Sequence, residues 1–168
     1  MLPAGLRVLD LWGDFDQPLG DLPPDLHVLQ LGAYEHPLPQ LPDTLETLVL
    51  DGCTCHIAAL PASLRSLSVY WQPPFHAPRL PLRAAAWPAR LERLVYWAKT
   101  ESGSARLTSI EHLPPTLTQV ELNGCEVHAR LPHELREVRL GRAFRQALDL
   151  TLSGAARVVV NEDRFVYA

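Results

Sequence analysis

Seven times along the chain an apolar residue and a proline are followed at fixed intervals by three further apolar residues, in the pattern L-P-x-x-L-x-x-L-x-L. The copies run Leu2–Leu11, Leu22–Leu31, Leu41–Leu50, Leu60–Val69, Trp87–Tyr96, Leu113–Leu122 and Leu131–Leu140. A degenerate eighth copy, near residue 151, has lost its Leu-Pro start and ends in Val158 and Val160. The third-position leucines stand at 6, 26, 45, 64, 91, 117 and 135, so the copies step by 20, 19, 19, 27, 26 and 18 residues. One such string has no weight alone, but self-similarity at a near-constant period is the signature of a repeat architecture.

The pattern dictates much of the local structure. In x-L-x-L-x, alternate side chains point to opposite faces of a strand, so the leucines face one way and the intervening residues the other. A unit of about 20 residues cannot bury its leucines alone; it must stack on its neighbours, and stacking makes one continuous core. The chain has 16 prolines, which are costly inside helices and central strands. Their place at the start of each copy fixes φ and biases the preceding residue to an extended conformation. The return path is short, so extended segments or 3₁₀ turns are expected on the far side, with few or no helices. The expected fold is a right-handed, curved solenoid with a concave parallel sheet of about eight short strands, formed by residues 1–168 as a single domain.

Two further strings extend the pattern. "LPASLRSLSV" spans Leu60–Val69, and "LWGDFDQPL" (Leu11–Leu19) and "LGRAFRQAL" (Leu140–Leu148) share one spacing, with Phe15 and Phe144 four residues after the last strand leucine. The sequence resembles leucine-rich repeat proteins, and specifically the FNIP type, L-P-x-S-L-x-x-L-x-L-G-x-x-F-N-Q-P-L. The resemblance implies an α/β-class leucine-rich repeat solenoid in its mostly-β form. It weakens at copies four and five, which carry long insertions at Trp71–Trp87 and Ala98–His112. The first insertion is proline-rich, with one stretch at Leu82–Ala86 able to turn helical.

Composition narrows the function. A formal net charge of -4 argues against a nucleic-acid binder, whose footprint is a basic face. The same balance offers no polybasic segment for a membrane surface, and no apolar run approaches the roughly 20 residues of a membrane helix. No basic-then-apolar leader opens the chain. Three cysteines fit a reducing, cytoplasmic compartment better than a disulfide framework.

The cluster Cys53, Cys55 and His56 invites a metal or Cys/His-enzyme reading, since zinc takes such ligands. Against it, Cys53 and Cys125 each lie eight residues after a third-position leucine, Leu45 and Leu117. That shared position points to buried thiols that serve the turn backbone. Carboxylates are scattered, and no glycine-rich phosphate loop, nucleophile elbow or paired-histidine motif appears. The expectation is therefore a non-enzyme with no cofactor, no metal and no small-molecule substrate.

What remains is the outward face of the sheet. Its central row reads Asp10, Gln30, Val49, Ser68, Val95, Glu121, Arg139 and Val159. Its distal row, two residues further along each strand, reads Trp12, Gly32, Asp51, Tyr70, Trp97, Asn123, Gly141 and Asn161. Tyr70 and Trp97 become neighbours in the middle, with Trp71 following and Val49 and Val95 alongside. Asp51, Arg93, Glu121, Asn123 and Arg139 surround them, and Trp12 stands at the edge. Large aromatics inside a polar rim have the make-up of a protein-binding hot spot. The competing expectation is that the long insertions cover these rings. The partner would be another protein, with inhibitor, immunity-type and adaptor roles all compatible with an acidic repeat module.

Overall fold

The computed structural model describes residues 2–13, 15, 17–55, 57–71, 87–98, 108–110, 113–127, 131–141 and 157–161. Among these described residues there are ten strands: β1 (Val8–Leu11), β2 (Val28–Gly32), β3 (Thr47–Asp51), β4 (Ser66–Trp71), β5 (Arg93–Ala98), β6 (Thr108–Ile110), β7 (Gln119–Asn123), β8 (Cys125–Val127), β9 (Glu137–Gly141) and β10 (Arg157–Asn161). Eight of them form one open sheet in the order β1-β2-β3-β4-β5-β7-β9-β10, and every pairing is parallel. Strand order follows chain order because each copy stacks directly on the one before it. Among the described residues there is no helix, and so none long and apolar enough to cross a membrane.

Each L-P-x-x-L start closes the same turn. The leucine N–H donates to the proline carbonyl three residues back in all seven copies, from Leu6 to Pro3 at 3.1 Å through Leu135 to Pro132 at 3.3 Å. Proline loses nothing here, because the turn uses its carbonyl and not the N–H it lacks. Three copies place a hydroxyl just before the turn leucine. Thr44 Oγ1 donates to Leu26 O at 2.9 Å, Ser63 Oγ to Leu45 O at 2.7 Å and Thr116 Oγ1 to Leu91 O at 2.7 Å. The serine of the repeat pattern thus ties one copy to the carbonyl of the previous one. Ser63→Ala is expected to cost about 1 kcal/mol, as loss of one such bond does, measurable as a lower midpoint in urea unfolding.

The core runs the length of the stack. Leu29, Leu31, Leu48, Leu50, Leu67, Val69, Leu94, Tyr96, Val120, Leu122 and Val138 are all buried on one face. The third-position leucines Leu26, Leu45, Leu64, Leu91, Leu117 and Leu135 close the core at the strand starts. Copies four and five each put a large aromatic into the core, Tyr96 at a strand-leucine position and Trp71 two residues beyond one. Their polar atoms meet inside: Trp71 Nε1 donates to Tyr96 Oη at 3.0 Å. A buried indole N–H and a buried phenol each need a partner, and here they supply one another.

Strand exit depends on one residue. Gly13, Gly52 and Gly124 follow the distal row in their copies with φ of 73°, 66° and 64°, and Ala33 holds the same place at 52°. This left-handed turn ends the strand. In copies four and five the position is Trp71 or Ala98, the strand runs on through it, and the insertion follows. A side chain in the left-handed region costs about 1 kcal/mol relative to glycine. Ala33→Gly should therefore raise stability by roughly 0.5–1 kcal/mol, read as a higher melting temperature.

The second sheet, β6 with β8, is parallel and lies off the main repeat. It joins a segment of the copy-five insertion to the strand that follows the Gly124 turn. The stretch at Leu82–Ala86 and residues 142–148 of the Phe144 string lie outside the described residues.

Candidate functional site

The pairing register builds the outward face as the repeat spacing predicts. Asp10, Gln30, Val49, Ser68, Val95, Glu121, Arg139 and Val159 are partners across the whole sheet. In the distal row Gly32, Asp51, Tyr70, Trp97 and Asn123 pair in turn. Neighbouring strands lie about 4.8 Å apart, so each row is a line of touching side chains.

Exposure divides the candidates. Trp12 is 44 % exposed at the sheet edge. Val49, Asp51, Tyr70, Glu121 and Arg139 are half-buried, and Arg93 is exposed. Four others are withdrawn from solvent. Val95 (1 % exposed) and Trp97 (7 %) are buried although they stand on the outward face. The expected exposed pair of rings is thus reduced to one accessible ring, Tyr70. Trp71 is a correction. It follows Tyr70 in sequence, but alternation turns it to the opposite face, where it packs in the core. Asn123 is also committed to the fold: its Nδ2 donates to Ala98 O at 2.9 Å, linking β7 to β5. Its amide also lies where a Cβ at Gly141 would stand, so glycine there makes room for it.

Charge collects around the central strands. Arg139 Nε donates to Glu137 Oε1 at 3.1 Å, and its Nη1 lies 4.0 Å from Glu121 Oε2. A groove runs over β5, β7 and β9 with Arg93, Val95, Gln119, Glu121, Glu137 and Arg139 along it. Burial raises the Glu121 carboxyl above its ordinary value, against the pull of Arg139 and Arg93. Burial likewise raises the Tyr70 hydroxyl, with Glu121 adding to the shift and Arg93 opposing it. Asp51 is raised by burial alone.

The thiols face the other way. Cys53, Cys55 and Cys125 are free and buried, and Cys53 Sγ donates to Leu31 O of the previous strand at 3.3 Å. Tyr34, at the equivalent place in copy two, is fully buried and accepts from Leu19 N–H at 3.0 Å. The position thus serves neighbouring backbone from inside, the role the shared spacing predicts for Cys53. Among the described residues no group of three His, Cys, Asp or Glu side chains is placed to hold a metal ion, and His56 lies outside them. The hydrogen bond with Cys53, and then burial, raise the Cys55 thiol. Burial pushes Cys125 up to about 12 from an ordinary 9.0. The unfolded chain releases that proton first, so it binds fewer protons than the fold between those values. Stability is expected to fall as pH rises from about 9 toward about 12, and the native Cys125 thiol should resist alkylation at pH 8 until urea is added.

No family model and no curated protein matches the sequence. Among solved structures, the chain is similar to CroV588, described as a novel circular leucine-rich repeat protein, with a TM-score of 0.67 and 20 % identity. The match covers 95 % of this chain and 24 % of that one, so the chain spans about a quarter of its neighbour's length. The fold is therefore a leucine-rich repeat solenoid, mostly β, and its outward sheet face is the concave one.

Proposed function

We propose that the chain binds another protein through the concave face, as a non-enzymatic, cytoplasmic module with FNIP-type repeats. One observation carries the reading. The middle of the concave face combines an accessible tyrosine with a charged groove, where Arg93, Glu121, Glu137 and Arg139 stand over Val95. An aromatic anchor beside partly desolvated charges is how hot spots are built. A second groove, along the strand starts, is lined by Arg65, Arg90, Glu92, Thr118, Glu134 and Arg136. It has charge but no aromatic among its described lining residues, and its Arg65–Glu92 pair is about half exposed. Exposed pairs of that kind contribute little, which favours the concave site.

The acidic balance, -4 overall, suits an inhibitor or immunity-type role toward a basic enzyme or toxin, and equally an adaptor. Affinity capture from the native lysate, run in parallel with the parent chain and Tyr70→Ala, tests the proposal. A protein captured by the parent and lost with Tyr70→Ala supports it. Capture that is indifferent to Tyr70→Ala and to Arg139→Glu places the interface elsewhere.

A further inference from the structure

We propose that Trp12, Asp51 and Tyr70 form a receptor for a basic side chain, an alkylammonium or guanidinium group, presented by the protein docked on the concave face. The inference rests on the protein-binding reading above and names what that partner must bring.

The geometry starts at a glycine. Gly32 pairs with Asp51 across β2 and β3, and Asp51 pairs with Tyr70 across β3 and β4. Trp12 leaves the edge strand β1 and lays its ring over Gly32. A Cβ at that position would stand 2.9 Å from Trp12 Cε3. Because Gly32 has no side chain, the indole lies over the second strand, at the position that pairs with Asp51 on the third. Asp51 thus stands in register between Gly32, which carries the Trp12 ring above it, and Tyr70. The Tyr70 hydroxyl feels the Asp51 charge, which helps to raise it.

Among the described residues, the carboxylate at the centre has no counter-charge paired with it. Asp51 is half-buried, yet no hydrogen bond or ion pair engages its side chain among the described residues. The arginines of the same face, Arg93 on β5 and Arg139 on β9, stand two and four strands away, and Arg139 is paired with Glu137 and Glu121. Neither counts among the groups that shift Asp51, whose carboxyl is governed by burial. A partly desolvated carboxylate with no partner is unfavourable in the free protein, and a cation relieves it. The rings add to the same preference, since a cation over the face of Trp or Tyr is attracted by the ring quadrupole. An acidic or purely apolar occupant would leave the carboxylate buried and unpaired. Three groups from three separate repeat copies therefore agree on one class of ligand.

A random peptide library panned against the full chain tests this without a known partner. Recovered peptides should be enriched in lysine or arginine. A synthesised member should bind about tenfold more weakly to Asp51→Asn and to Trp12→Ala, the size of effect expected for losing one ion pair with its ring contacts. Gly32→Ala, which displaces the indole, should weaken it too. Glu46→Gln removes the same charge from the exposed strand-start edge and should leave affinity unchanged, which separates a specific site from the attraction of an acidic protein. Peptides lost with Tyr70→Ala but indifferent to Asp51→Asn, or lacking a basic residue, overturn the receptor and leave the concave interface standing. Peptides indifferent to both variants, or equally weakened by Glu46→Gln, overturn it as well, and the first of these also removes the concave reading.

Discussion

Leu48→Asp is expected to unfold most of the chain. Leu48 is fully buried in β3, with Leu29 and Leu67 as its partners in the flanking strands. Removing a leucine side chain from such a site costs about 2–5 kcal/mol. A carboxylate left there without a partner adds several more, or is forced to protonate. A domain's whole stability is only about 5–15 kcal/mol. In a stacked array each unit leans on its neighbours, so damage in the third strand deprives the first two of their support. Circular dichroism and urea unfolding measure the outcome. The neighbouring residue supplies the contrast. Val49 is half-buried on the opposite face, and Val49→Asp should stay within about 1 kcal/mol of the parent. Equal losses at 48 and 49, or no loss at 48, would contradict the two-residue period on which the fold rests.

That period explains why so much of the architecture was legible. Strand direction, order and register all follow from seven copies of one apolar pattern, and the outward rows pair as the spacing requires. The prolines mark the start of each copy in the sequence, while the turn that their carbonyls close on the leucine three residues on, in all seven proline-containing copies, is a finding of the structure. Departures cluster where the period breaks. Trp71 was set beside Tyr70 by adjacency in sequence, although strand alternation sends consecutive side chains to opposite faces. The left-handed residue that ends each strand is glycine in three copies and alanine at Ala33, so glycine alone did not mark it. The β6–β8 pairing joins Thr108–Ile110 to Cys125–Val127. These segments sit outside the repeat pattern, and nothing periodic announces them.

The site was legible only in part, because a row of residues states position and not accessibility. Which side chains share a face follows from local geometry. Whether solvent reaches them depends on everything packed above that face, which two-residue periodicity does not encode. Val95 and Trp97 stand in the outward rows, yet they are buried. Asn123 shows the same limit in another form. Its amide is drawn into a bond with Ala98 O that depends on the longer fifth strand.

Trp97→Ala is accordingly expected to act first on stability. The hot-spot reading of the sequence expects this variant to keep its fold and lose its partner. The ring is instead 7 % exposed, in a row between Tyr70 and Asn123. Truncating a buried tryptophan removes its transfer energy and leaves a cavity, together about 3–5 kcal/mol. For a chain of this size each kcal/mol moves the melting temperature by about 2–4 °C, so a fall of roughly 10 °C is expected. Tyr70→Ala removes a more accessible ring and should move the melting temperature less, while costing about 2 kcal/mol or more of partner binding if the ring is an anchor. The two variants therefore separate fold from recognition. Thermal melts of both chains, followed by binding measured well below the lower midpoint, decide the assignment. A Trp97→Ala chain that melts with the parent would mean that the indole is not packed, and the aromatic pair would return as a single exposed surface. A chain that melts early but still binds once folded would fix Tyr70, and not Trp97, as the residue the partner touches.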